Sequence, residues 1–297
     1  MIALAANMTM PGALPPFTLD LWRDVVVILS YDFMRRALLT ATALAIVSGL
    51  VGYFTVLRRQ AFAGEALADV AFTGALGGAA FGLNIFASLI GVTVAAGLVM
   101  GWFGERLRGR DIAIGTTLAW TLGLGALFLT LFNSGANATV GVTGVSALFG
   151  NLLGVTAGQT QVIVIAAIIE AAALVLIARP LLFASLDPDV ARARGVQTRA
   201  LGLGFMALLA VTVSLATLAV GALLVFALLL LPAAAAQRLA PRPYAAMGLA
   251  SLLAVFVAWL GIAISFYSGI PGSVCVSLLG VALYAAVFGY TRLRPAR

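Results

Sequence analysis

Residues 37–59 read ALLTATALAIVSGLVGYFTVLRR, an apolar run closed by the paired arginines Arg58 and Arg59. A run of about 20 apolar residues is long enough, as a helix, to cross a hydrocarbon core about 30 Å thick. The pattern then repeats along the chain. All 17 basic residues are arginine, and they cluster after alternate runs: at Arg106, Arg108 and Arg110; at Arg179, Arg192, Arg194 and Arg199; at Arg238 and Arg242; and at Arg292, Arg294 and Arg297. The connections between these clusters, around Asn84, 133–159, 219–221 and 268–273, carry no basic residue. Positive charge stays with cytoplasmic loops, so the arginine-bearing loops and the C-terminus are expected in the cytosol. Only Arg23, Arg35 and Arg36 oppose that assignment, and Asp20, Asp24 and Asp32 accompany them.

Composition agrees with a membrane protein and excludes much else. The chain is 63% hydrophobic and 9% charged, outside the range of soluble domains. Its formal charge of +7 does not argue for nucleic acid, because the arginines sit in short loops beside spans. There is no histidine, which removes Ser-His-Asp catalysis, His-ligated zinc and His proton relays. There is no lysine either, so a GxxxxGK[ST] phosphate loop is absent and ATP hydrolysis is not expected from this chain. The single cysteine, Cys275, lies in an apolar run and supports neither a disulfide framework nor a thiolate metal site. Met1–Leu21 lacks a charged n-region and a compact apolar core, so no cleaved signal peptide is expected.

The expected architecture is an all-α polytopic bundle of eight or nine spans. These run Ala37–Leu57, Ala61–Leu83, Ile85–Gly104, Ile112–Phe132, Thr160–Ala178, Ala200–Leu218, Ala222–Leu239, Tyr244–Tyr267 and Val274–Thr291. Residues 1–36 form an N-terminal segment in which Val25–Phe33 suits an interfacial amphipathic helix. Residues 37–291 form the transmembrane domain, and 292–297 a cytosolic tail. A short helical piece is expected at Ser146–Val155 before the fifth span. Trp102, Tyr244, Tyr267 and Tyr290 fall at span ends, where aromatic anchors belong. Asp111 reads as a helix N-cap. Pro232 removes one backbone bond inside its span and predicts a kink.

Three carboxylates fall inside spans: Glu65, Asp69 and Glu170. A charge in hydrocarbon costs roughly 2.5–3.5 kcal/mol even on the lenient insertion scale, so each needs a partner, water or a cation. Glu65 and Asp69 are one helical turn apart and share a face that Thr73 and Gly77 extend. The neighbouring stripe, Ala66, Val70, Gly74, Gly78 and Gly82, suits close helix packing. An acidic face without basic neighbours reads as a path, and a transient site, for a hard cation. Glu170 has no acidic companion at helical spacing and reads as a helix-pairing residue.

The polar segment 185–198 interrupts the apolar runs. Asp187 caps a short helix there, Pro188 opens its first turn, and Gly195 ends it. Such a helix, with Asp189, Arg192 and Arg194 on it, reads as a docking element for a soluble partner.

Several segments resemble the zinc/manganese/iron-type metal permeases of ABC importers. They are Tyr31–Leu38, Gly64–Ala71, Leu148–Leu153, Asp187–Val196, Leu229–Ala236 and Tyr267–Ser273, in that order along most of Tyr31–Thr291. The resemblance implies a type II-like permease subunit that works as a homodimer with a central path for the metal ion. It implies two cytosolic ABC ATPase subunits that use the ATP, an extracytoplasmic metal-binding protein, and a place in the prokaryotic inner membrane. It makes Asp187–Val196 the coupling helix that seats in the ATPase. No cofactor bound by this chain follows from it. One departure stands out: the family places histidine four residues after the acid of the second span, where this chain has Asp69. A second carboxylate hardens the site and favours manganese or ferrous iron over zinc. Two rival readings remain, a siderophore- or cobalamin-type ABC permease and a stand-alone cation-coupled carrier using Glu65 and Asp69 as coupling acids.

Overall fold

The structure, a computed structural model, describes residues 29–104, 110–133, 150 and 152–293, and ten α-helices account for most of these described residues. They are α1 (Asp32–Leu57), α2 (Ala61–Ala80), α3 (Ile85–Gly104), α4 (Arg110–Asn133), α5 (Ala157–Leu186), α6 (Pro188–Ala193), α7 (Thr198–Val220), α8 (Ala222–Leu239), α9 (Pro243–Ser268) and α10 (Gly272–Leu293). One 3₁₀ turn, Leu152–Gly154, precedes α5, and no strand occurs among the described residues. All nine expected spans are present as helices. Among the described residues, six are long and apolar enough to cross a membrane. Helix α2, which carries Glu65 and Asp69, is not among those six.

The differences from the sequence expectation lie at the ends of helices. The helix of the first span begins at Asp32, not Ala37, so Arg35 and Arg36 belong to that helix. Asp32 sits in the first turn, where a carboxylate complements the N-terminal end of the dipole, and the helix has no reason to stop short of it. The fifth span is much longer than Thr160–Ala178: α5 starts behind a capping box made by Thr156 and Gln159 and runs through Pro180 to Leu186. Asp111 lies inside α4, which is already helical at Arg110, so it is no N-cap. The piece expected at Ser146–Val155 is described only as the turn at Leu152–Gly154, and Leu148, Phe149 and Asn151 lie outside the described residues. So do 25–28 of Val25–Phe33, together with Arg23, Arg106, Arg108, Arg294 and Arg297.

Helices α1 and α7 form the centre. Most of each is buried, and α1 touches α5, α7, α8 and α9 while α7 touches α2, α3 and α5. Helices α2, α3 and α4 pack together on one side, and α8, α9 and α10 on the other. Small residues let these backbones approach. A Cβ at Gly52 of α1 would run into the Leu229 carbonyl of α8, and one at Gly49 would lie 2.5 Å from the Ser251 Cα of α9. Between α7 and α8 a single residue, Gly221, makes the reversal with φ of 94°, a conformation open to glycine and closed to most side chains.

Contacts sort the arginine clusters to one end of the bundle. Arg58 lies 5.4 Å from the Phe205 ring, and its Nη1 approaches Ser185 Oγ at 3.5 Å. Gln237 of α8 donates to the Tyr53 carbonyl at 2.8 Å, and Arg194 stacks 5.8 Å from the Phe183 ring. At the opposite end Thr40 donates to Thr160, and Tyr31 meets Phe266 at 5.9 Å between ring centroids. Trp102, Tyr244 and Tyr290 are about half exposed, as interfacial anchors should be.

Candidate functional site

Helix α2 presents two faces of opposite character. On one, Ala66 and Val70 are buried, and Gly74 and Gly78 lie against α3 so closely that an added Cβ would meet Val92 Cβ at 3.1 Å and Ser88 Cβ at 2.6 Å. This is the tight contact that the small-residue stripe predicts, although Gly82, its last member, lies past the helix and is exposed. The other face carries Glu65, Asp69 and Thr73. Glu65 is exposed on the bundle surface, Asp69 is half-buried, and Thr73 is buried.

Burial along that stripe changes because α4 covers only part of it. Thr73 donates to the Thr121 carbonyl of α4 at 3.1 Å, and a Cβ at Gly77 would touch the Phe128 ring at 3.1 Å. Glu65 and Asp69 lie beyond this cover. Neither has a hydrogen-bond or ion-pair partner among the described residues. Two carboxylates one turn apart therefore stand open on a helix whose other faces are packed. They are hard oxygen donors that no cationic side chain among the described residues pairs with. No group of three or more His, Cys, Asp or Glu side chains able to hold a metal occurs among the described residues. A single chain thus offers a pair of ligands, short of the six to eight oxygens that a tightly held hard cation takes.

Glu170 occupies a different setting. It is 3% exposed in the middle of α5 and accepts a hydrogen bond from Thr212 of α7. The contact joins two neighbouring helices, in keeping with a pairing role. Thr212 was the missing half of this pair. One threonine among several on an apolar helix leaves no periodic trace by which to find it.

The segment after α5 takes the form its residues dictate. Asp187 Oδ1 accepts from the Val190 N–H at 3.0 Å, Pro188 sits in the first turn of α6, and Gly195 adopts φ of 81°. Gly195 N–H bonds the Arg192 carbonyl and Val196 N–H the Ala191 carbonyl, which closes the helix end. Ala191 is fully buried beneath it, while Asp189, Arg192 and Arg194 are exposed. Arg192 is steadied by Asp189 at 3.6 Å and donates to Thr198 Oγ1 at 3.1 Å. Beside it opens a shallow depression of ≈ 560 Å³ lined by Arg192, Gly195, Gln197, Arg199 and Leu203 among others. A rigid short helix with an exposed mixed-charge face and an adjoining hollow is suited to seating against another protein.

Comparison with known proteins finds likeness along most of the chain. The ABC 3 transport family matches residues 30–290. The manganese transport system membrane protein MntC of Listeria monocytogenes is 28% identical over 262 residues, covering 88% of this chain and 91% of the relative. The high-affinity zinc uptake system membrane protein ZnuB of Haemophilus influenzae is 27% identical over 265 residues, covering 89% of this chain and 100% of the relative. Among solved structures, PsaBC from Streptococcus pneumoniae superposes with a TM-score of 0.78 at 24% identity, covering 90% of this chain and 95% of that one, and establishes likeness of fold.

Proposed function

This chain belongs to the ABC 3 transport family, and on that footing we propose that it is the membrane-spanning permease subunit of an ATP-driven importer of divalent metal ions. The observation that carries the metal reading is the open pair Glu65 and Asp69 on α2. A carboxylate without a partner at span depth is stable only beside water, a cation or another protein face. Permeation needs a weak site that an ion enters and leaves, and two carboxylates with room for water supply one. The path runs over Glu65 and Asp69 and closes at Thr73, where α4 covers the helix. The names of the relatives, manganese for one and zinc for the other, support the substrate class. Within that class an all-oxygen pair favours manganese or ferrous iron over zinc.

Two copies of the chain, facing each other across these surfaces, enclose the path and double its carboxylates. A separate ATPase pair seats on α6 with its Asp187, Pro188, Asp189, Arg192, Arg194 and Gly195, and a binding protein delivers the ion at the opposite end. The arginine-bearing end and the C-terminus are cytosolic in this reading, since positive charge is retained there. Replacing Arg192 and Arg194 together then abolishes ATPase association; a stand-alone carrier would be indifferent to the change.

The test is metal accumulation, by elemental mass spectrometry, in cells that express the whole system and are offered manganese, iron and zinc together. Accumulation of one metal above background, lost in Glu65→Ala/Asp69→Ala at equal expression, is the expected result. Absence of any metal accumulation despite an assembled transporter would overturn it in favour of an organic or chelated substrate.

A further inference from the structure

At the arginine-bearing end of α8 and α10, charge is left unanswered. Arg238, in the last turn of α8, lies 5.6 Å from the Tyr284 ring centroid and 4.8 Å from that of Phe288. Arg292, in the last turn of α10, lies 4.7 Å from the same Phe288 ring. Tyr284 and Phe288 form a tilted pair 6.3 Å apart, so two guanidinium groups converge on one aromatic platform. Neither group donates a hydrogen bond or makes an ion pair with any described residue. After Asp189 the sequence contains no Asp or Glu, while arginine recurs at 192, 194, 199, 238, 242, 292, 294 and 297.

Two local effects relieve part of this charge. The carbonyl ends of α8 and α10 favour a cation, and the ring faces attract one. Neither accepts the N–H groups at the rim of a stacked guanidinium, which remain as a planar array of donors. A phosphodiester matches such an array with two parallel charge-assisted bonds.

The adjoining surface shows where a phosphodiester comes from. Leu278, Val281, Ala285, Phe288 and Arg292 follow one another at alternating three- and four-residue spacing and so share a face of α10. Leu278 is 66% and Val281 56% exposed. An apolar stripe that runs along a spanning helix and ends in two guanidinium groups has the profile of a phospholipid. We propose that Arg238 and Arg292, on the Tyr284–Phe288 platform, bind the headgroup phosphodiester of an anionic lipid whose acyl chain lies along Leu278 and Val281. A second copy of this face brings the same arginines and no acid, so self-association there is repelled.

The test uses the full-length chain purified in mild detergent from bilayers of equal phosphatidylglycerol and phosphatidylcholine, with retained lipid counted by native mass spectrometry. The wild type is expected to retain phosphatidylglycerol about tenfold over phosphatidylcholine, the scale of one to two arginine–headgroup attractions. Arg238→Gln/Arg292→Gln should remove that preference, and Arg35→Gln/Arg36→Gln, at the opposite end, should keep it. Inorganic phosphate at millimolar concentration should not displace the lipid, because it lacks the acyl chain. Equal retention of the two lipids by the wild type would overturn the proposal whatever the variants do, and would assign the surface to an acidic protein partner. Loss of preference in both double variants would overturn it as well, reducing the effect to net charge.

Discussion

The acids of α2 and the acid of α5 solve one problem in opposite ways. Glu170 is enclosed by the bundle and tied to Thr212 of the neighbouring helix. Glu65 and Asp69 receive no such partner, and Glu65 faces outward from the bundle altogether. Glu170 is buried with one oxygen bonded, whereas Glu65 and Asp69 have no partner among the described residues. Carboxylates left so call for water, a cation or a second protein face, and on that ground we propose α2 as the working face.

The largest effect expected is from removing the open pair. Glu65→Ala/Asp69→Ala should reduce metal uptake to background while the protein still inserts, binds its ATPase and melts within a few degrees of wild type. A large drop in melting temperature would show that these acids are structural and erase the contrast with Glu170. The reverse pattern is expected on α5. Glu170→Ala should destabilise the bundle by about 2 kcal/mol, through the cavity and the lost bond, and leave uptake per folded molecule near wild type. Glu170→Gln, which preserves shape and an acceptor for Thr212, should cost less; denaturant titration in detergent, paired with uptake, measures both.

A smaller and more selective change is expected from Asp69→His, which exchanges a hard oxygen for a nitrogen ligand. Competition uptake should show zinc gaining several-fold on manganese. An unchanged ratio would place ion selection elsewhere than at this position. Least affected should be Thr73→Val. Losing the bond to the Thr121 carbonyl is worth about 0.6 kcal/mol between membrane helices, visible as a slight loss of stability with uptake largely kept. Abolished uptake in that variant would extend the ion-binding surface inward past Asp69.

Much of this was legible from residues alone. Helix α3 starts at Ile85, where the sequence places the start of that span, because apolar content changes sharply there. The α6 helix was equally plain, since Asp187, Pro188 and Gly195 act through their own backbone and need no distant partner. The start of α1 and the length of α5 were not legible, because amphipathic ends extend beyond hydrocarbon wherever caps and neighbouring helices hold them. The partnership of Glu170 with Thr212 bridges 42 positions in sequence and leaves no trace in either helix's pattern.

By itself, then, the sequence determined that this is a helical membrane protein, where its spans lie, and which three acids require explanation. Those properties follow from local hydropathy, charge and capping chemistry, each decided within a turn or two of the residue concerned. Only the tertiary structure decided which acid is enclosed and which pair stays open. It also brought Arg238 and Arg292 onto one aromatic platform. Such outcomes depend on which helices become neighbours, and packing between distant segments, not any local preference, makes that choice.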